Sequence, residues 1–335
     1  MFSTQNLNNP LSIGFKGNPN VGTVVLGDMI ENADWFKGFK IHCEKDDRIF
    51  IISSIFGGTG ASGFPLLEKK IRGANDQPAV KNAIMGAITV LPYYGLKDPA
   101  TTGSDIDSAN FYTKTKAALA YYQNTIKSDY LYYIGEKTLL QTYENDEKKQ
   151  EDTANFIELV AASALFDFLE RDKPERQQFL SRAINDDVES LNLESMGKGY
   201  TDIVKTIADY MLLRELVNIL PKEKWFPLRK NRHFDTDFYK DAAYNDLYNF
   251  TETFYRWYNE LATNKRAFAP LHYESHKDMS GWIEGYELDA KDDSYYLLQM
   301  IKESNSNTQK HNNTFRYFLD FAYKAINNYT QKILK

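Results

Sequence analysis

The 335-residue chain has a single cysteine, Cys43. No intramolecular disulfide can form, and such sparing use of thiols is expected of a reducing, cytoplasmic compartment. Long apolar runs are missing too. None approaches the ~18 residues that cross a bilayer, and the first residues lack the charged-then-apolar order of a signal peptide. Forty Lys and Arg against 46 Asp and Glu leave a net charge of −6. That balance offers no field to draw nucleic acid or anionic lipid. Neither a nucleic-acid partner nor a membrane span is expected. Glycine is scarce at 18 residues, which makes its clustering informative, because four of them fall at positions 57, 58, 60 and 63.

What is present is the composition of a globular protein, 42% hydrophobic and 26% charged. The length allows two domains, each with its own core. Aromatic residues are abundant, with 23 Tyr and 21 Phe. They read first as packing, since tyrosine buries area while its hydroxyl tolerates a wet edge.

The glycine cluster has an informative setting. A short apolar run over 49–55, rich in isoleucine, leads into Gly57-Gly58-Thr59-Gly60-Ala61-Ser62-Gly63. Such a run reads as a buried parallel strand. Pro65 fits the first turn of a helix, where no backbone N–H is needed, so a helix is predicted over 65–72 with Leu66, Leu67 and Ile71 inward. Glycines let a backbone approach a ligand closely, and a helix N-terminus presents free N–H groups and partial positive charge. The turn is therefore a candidate phosphate cradle. A plain strand-to-helix connection uses the same residues. A Walker loop is excluded, because no Lys-Ser or Lys-Thr follows at the required spacing, and the run reads as not fitting the Gly-x-Gly-x-x-Gly fingerprint either.

Elsewhere, residues 28–43 read as a helix and connector, and 79–84 as a short helix or the approach to a strand ending at Pro92. Residues 95–108 have loop composition. A helix is predicted over 108–123 with Phe111, Ala117, Ala118, Tyr121 and Tyr122 inward. The charged stretch 144–152 reads as solvated. Residues 154–169 leave almost no polar face, which predicts a helix buried on all sides between two domains. Asn155, at its start, is a residue type that favours helix N-caps. Long helical patterns follow over 200–220, 235–261 and 313–334, and β signals are few apart from 294–300.

Other chemistry is thin. His272-x-Glu274-x-His276 lacks the HExxH spacing and follows Pro270, so no metal site is predicted there. Asn185, Asp186 and Asp187 read as a cap or solvated turn. The basic and aromatic stretch 222–232 reads as a solvated loop or partner contact.

Several segments in order resemble the tubulin/FtsZ superfamily. Gly57-Gly58-Thr59-Gly60 followed by Ala61 resembles its glycine-rich phosphate loop. Gly14-Phe15-Lys16-Gly17-Asn18-Pro19-Asn20-Val21-Gly22 is similar to the family's Gly-x-x-x-Asn-Pro-x-x-Gly loop, which faces the γ-phosphate. Pro65 falls where the family has a proline. Residues 83–92, running into Pro92 and Tyr93, and 128–135 look like the next two core strands. Residues 153–165 resemble the long central helix, with Asn155 where the family places a base-contacting asparagine. The resemblance covers about residues 11–170.

It implies an α/β fold with a parallel-sheet nucleotide-binding core (1–153), a central helix (154–170) and a further domain (171–335), which here is mainly helical rather than β-rich. It also implies GTP or another nucleotide with Mg2+ as cofactor. The phosphates would sit on Gly57, Gly58, Thr59, Gly60, Ala61 and Ser62 and on Gly17 and Asn18, with the base on Asn155. Self-assembly with coupled hydrolysis would follow. Departures accompany the match. The family's first strand and first phosphate loop are expected to be absent, so the chain is a fragment, a separate chain supplies that half, or the site is degenerate. Gly95-Leu96-Lys97-Asp98 stands where the family has an acid and arginines, and 183–189 lacks its Asn-x-Asp-x-x-Asp spacing. The alternative is a non-catalytic interaction or scaffold protein that keeps this fold.

Overall fold

The computed structural model of the protein describes residues 14–15, 17–97, 108–135, 142–143, 153–181, 198–222, 234–264, 268–269, 271 and 312–333. The chain forms two compact units, Met1–Ala183 and Ile184–Lys335.

In the first unit the elements run α1 (Pro19–Asn32), α2 (Asp34–His42), β1 (Arg48–Ser54), α3 (Thr59–Arg72), α4 (Pro78–Asn82), β2 (Ile84–Val90), β3 (Gly95–Leu96), α5 (Phe111–Thr125), β4 (Tyr130–Ile134), β5 (Thr142–Tyr143), α6 (Phe156–Glu170) and β6 (Gln178–Leu180). Four strands form one sheet in the order β1-β2-β4-β6, every pair parallel. Parallel neighbours need crossover connections, which α3 with α4, α5 and α6 supply in turn. The unit is thus α/β, as the alternation of apolar runs and helical patterns predicts. β3 and β5 form a separate two-stranded parallel ladder.

Strand β2 is buried from Met85 to Val90, as a central parallel strand should be. Gly86 is its flat spot. A methyl group there would lie 2.6 Å from Cδ2 of Phe168 on α6 and 2.7 Å from Cδ2 of Phe50 on β1. Without it the Phe50 and Phe168 rings meet at 5.0 Å, and Phe50 reaches Tyr132 at 6.0 Å. A second cluster joins Ile30 and Phe36 of α1 and α2 to Ile49, Ile71, Val80 and Met85. Asp129 fastens the start of β4, since its Oδ2 accepts from Arg72 Nη2 at 2.9 Å and from the Met85 amide at 2.8 Å.

Several sequence expectations are revised. Helix α3 opens at Thr59, not Pro65, so most of the glycine run is helical. Pro65 cannot donate to the carbonyl four residues back, and that carbonyl, of Ala61, accepts from the Tyr122 hydroxyl at 3.4 Å instead. The helix expected within 28–43 is two helices, the first opening at Pro19. In α5, Phe111 and Tyr122 are buried while Ala117 and Tyr121 are exposed. Helix α6 is not buried on all sides: Phe156, Ile157, Ala164 and Phe168 pack inward, whereas Phe166 is 68% exposed and Leu169 48%. Strand β6 lies past the boundary read at residue 170 and pairs with β4 in the first unit. Three residues with two exposed side chains leave no pattern to read.

The second unit is helical among its described residues, with α7 (Lys198–Ile219), α8 (Ala242–Thr263) and α9 (Thr314–Ile333). α7 packs on both α8 and α9 around Met211, Leu216, Phe318 and Phe321. Arg214 of α7 pairs through Nε with Glu252 of α8 at 2.9 Å and stacks 4.0 Å over the Tyr255 ring. The stretch 294–300, read as β, lies outside the described residues. No described helix is long and apolar enough to cross a membrane.

Candidate functional site

Ligands of open parallel sheets collect beyond the carboxyl ends of the strands. Gly57 and Gly58 follow the carboxyl end of β1, and Thr59, Gly60, Ala61 and Ser62 form the first turn of α3. The first N–H groups of a helix have no intrahelical acceptors, and no side chain caps this one. Gly60 is required by sterics: a methyl group would lie 2.5 Å from the Ser54 carbonyl oxygen and 2.8 Å from the Ser54 nitrogen. The glycine lets the opening turn of α3 ride directly on the end of β1.

The second loop, around Gly17 and Asn18, comes to the same place. A methyl group on Gly58 would meet Phe15 Cβ at 2.9 Å, the Asn18 nitrogen at 3.0 Å and the Gly17 nitrogen at 3.1 Å. One on Gly14 would lie 2.9 Å from Thr59 Oγ1. Gly14 and Gly17 hold φ of +71° and +68°, the left-handed region that glycine tolerates. The Asn18 amide donates to the Phe15 carbonyl oxygen at 2.8 Å, and Pro19 then opens α1. Asn18 occupies the N-cap without a side-chain capping bond. Two helix N-termini, of α1 and α3, therefore meet backbone to backbone, and their dipoles add for an anion placed between them.

Not every expected residue presents itself to that space. Ser62 is buried, and its hydroxyl donates back to the Gly58 carbonyl oxygen at 2.8 Å. Gly22 of α1 packs against it so closely that a methyl group would lie 2.2 Å from Ser62 Oγ. Ser62 thus seats α1 on α3. Asn155 stands at the start of α6, 3% exposed, with Oδ1 accepting from the Ile157 amide at 3.0 Å. Glu158 Oε1 accepts in return from the Asn155 amide at 3.3 Å, closing a capping box. A helix cap accounts for this asparagine without a ligand.

Helix α5 adds what the sequence patterns did not single out. Lys114 Nζ donates to the Gly17 carbonyl oxygen at 2.8 Å. Tyr122, whose phenol burial pushes up, stays a proton donor to Ala61. Hydroxyls without hydrogen-bond partners lie on Ser53 and Thr89, register partners one residue before the carboxyl ends of β1 and β2, and on Thr115 of α5. Only the tertiary fold brings α5 to the loops, so no local motif marked these residues.

Asn185, Asp186, Asp187, His272, Glu274 and His276 lie outside the described residues. Among the described residues no group of three or more His, Cys, Asp or Glu could hold a metal ion. One exclusion is corrected: counted from Gly58, the turn does spell Gly-x-Gly-x-x-Gly between a strand and a helix, the dinucleotide fingerprint. That motif calls for an acid at the end of the next strand to hold the ribose, and β2 runs into Leu91-Pro92-Tyr93 instead. The chain matches no protein-family model and no curated protein. Among the described residues the arrangement offers backbone donors, two helix N-termini and the Lys114 ammonium, which suits binding an oxyanion.

Proposed function

We propose that the first unit is a tubulin/FtsZ-like nucleotide-binding core, with the polyphosphate of GTP held between the Gly57–Gly58 turn with the first turn of α3 and the loop of Gly17 and Asn18. The observation that carries this reading is the approach of Gly58 to the Gly17 and Asn18 backbone. The two loops lie 39 or more positions apart in sequence (57 − 18 = 39), and the family resemblance assigns both to one phosphate chain. The all-parallel sheet with a glycine turn at a strand's carboxyl end supports it as well. Mg2+ fits without a protein cage, because in nucleotide sites phosphate and water supply most of its oxygens. Catalysis is not assigned to any residue.

One observation favours a second reading, a scaffold that keeps the fold and binds proteins. Large apolar side chains stand exposed on α1, α2 and α6, including Trp35, Ile41 and Phe166. Exposed apolar side chains of this size are candidates for contact with a partner where they form a patch. Equilibrium titration of the full chain with GTP and with NAD, each with Mg2+, separates the readings. The nucleotide reading expects saturable GTP binding that Gly58→Trp abolishes. NAD binding in preference to GTP overturns the tubulin-like assignment, and binding of neither leaves the scaffold.

A further inference from the structure

Helix α5 brings a charge and a buried hydroxyl to the candidate site. Lys114 is held at the Gly17 carbonyl oxygen, 2.8 Å away. The next residue, Thr115, is 6% exposed, and its hydroxyl has no hydrogen-bond partner. Positions four and seven apart share one face of a helix, so Phe111, Thr115 and Tyr122 are aligned. Contacts fix both ends of that face. The Phe111 ring lies 4.9 Å from that of Phe56, and the Tyr122 hydroxyl donates to the Ala61 carbonyl oxygen. Thr115 therefore faces the segment between Phe56 and Ala61, which is the glycine turn. Buried hydroxyls in native proteins find a partner in protein, water or ligand.

Charge points the same way. Residues 55–64 contain no Lys, Arg or His, and the 14–22 loop carries a single basic residue, Lys16, which lies outside the described residues. A helix N-terminus contributes only about half a positive charge, whereas a nucleoside triphosphate brings several negative ones. A polyphosphate bound by backbone alone would be left under-neutralised.

We infer that α5 completes the site and makes it select by phosphate number. Lys114 exchanges the Gly17 carbonyl for a phosphate oxygen as ligand enters, and the Thr115 hydroxyl donates to the same phosphate chain. The ligand class is then a nucleoside polyphosphate, with monophosphates discriminated against. The inference rests on the nucleotide reading of the two loops.

The test is titration of the full chain with GTP, GDP and GMP in Mg2+, comparing wild type, Lys114→Met, Lys114→Arg, Thr115→Val and Gly58→Trp. Lys114→Met is expected to weaken GTP about tenfold or more, GDP less and GMP least, as loss of a charge-assisted bond does. Lys114→Arg keeps most of the affinity, and Thr115→Val weakens GTP a few-fold. Lys114→Gln replaces Lys114→Met should the latter fail to fold. An equal loss for all three nucleotides would show Lys114 to be only a loop tether and overturns the inference. So does wild-type affinity in Lys114→Met while Gly58→Trp abolishes binding, in which case the loop site itself stands. A wild type that binds none of the three overturns both.

Discussion

Gly58 and Asn18 meet backbone to backbone, so near that a single methyl group on Gly58 would lie 3.0 Å from the Asn18 nitrogen. The contact joins the N-termini of α1 and α3. Gly58→Ala should push the loops apart and weaken nucleotide binding while the fold survives. Gly27→Ala is the matched control, since nothing lies within 4 Å of a methyl group there in α1. It should stabilise by about 0.5–1 kcal/mol, as Gly-to-Ala does inside a helix. Thermal unfolding of both variants, with and without GTP, checks the pair.

Gly60 and Gly86 are held by closer neighbours. Alanine at Gly60 presses on the backbone of Ser54, and at Gly86 on the Phe168 and Phe50 rings. Overpacking of this kind costs about 1–3 kcal/mol. Urea unfolding should place both variants below wild type by that amount, and equal midpoints would contradict the packing described.

Asn155 caps α6 within a capping box. Asn155→Ala should lose about 1 kcal/mol of stability, whereas Asn155→Ser, another good cap, should lose little. If Asn155→Ser keeps stability but loses the preference for GTP over ATP, the side chain contacts the base in addition to capping.

Asp209 on α7 is pushed above its ordinary carboxylate range, chiefly by burial, which a hydrogen bond with Thr330 and the charge of Lys205 offset only in part, and its Oδ1 has no hydrogen-bond partner. The folded chain then keeps this proton to higher pH than the unfolded chain does. Folding binds more protons in that interval, so the group's contribution falls as pH rises through it. Asp209→Asn removes the penalty. It should stabilise the second unit by about 1 kcal/mol at pH 7, and the gain should vanish below the ordinary value of 3.8. Chemical unfolding at both pH values reads this directly.

Much of the first unit could be read from sequence because its signals are local. The isoleucine-rich run at 49–55 and the near-continuous apolar run through 90 appear as the parallel strands β1 and β2, but only β2 is buried as expected: β1 is an edge strand, and its Ile52 is 60% exposed. Asn155 followed three positions later by Glu158 spells a capping box, and the cap is there. Where structure and local pattern differ, a local signal has a long-range answer. Pro65 marks a helix start by propensity, yet Tyr122 from α5 takes up the carbonyl it leaves open, so α3 starts six residues earlier. Helix α6 reads as buried all round because its composition is apolar, but the sheet covers one face only. Loop 14–18 and turn 57–58 were each legible, and their approach was implied by resemblance alone. Lys114 and Thr115 carried no signal, since what makes them interesting is which backbone lies across from them.

The most direct test of the nucleotide site is amide hydrogen exchange of the full chain with saturating GTP and Mg2+ against the chain alone. The account predicts new protection concentrated at 57–61 and at Asn20 and Val21 in the first turn of α1, the amides that would face phosphate, with the amides of 198–219 unchanged. Protection confined to the second unit, or none anywhere at saturation, would contradict it.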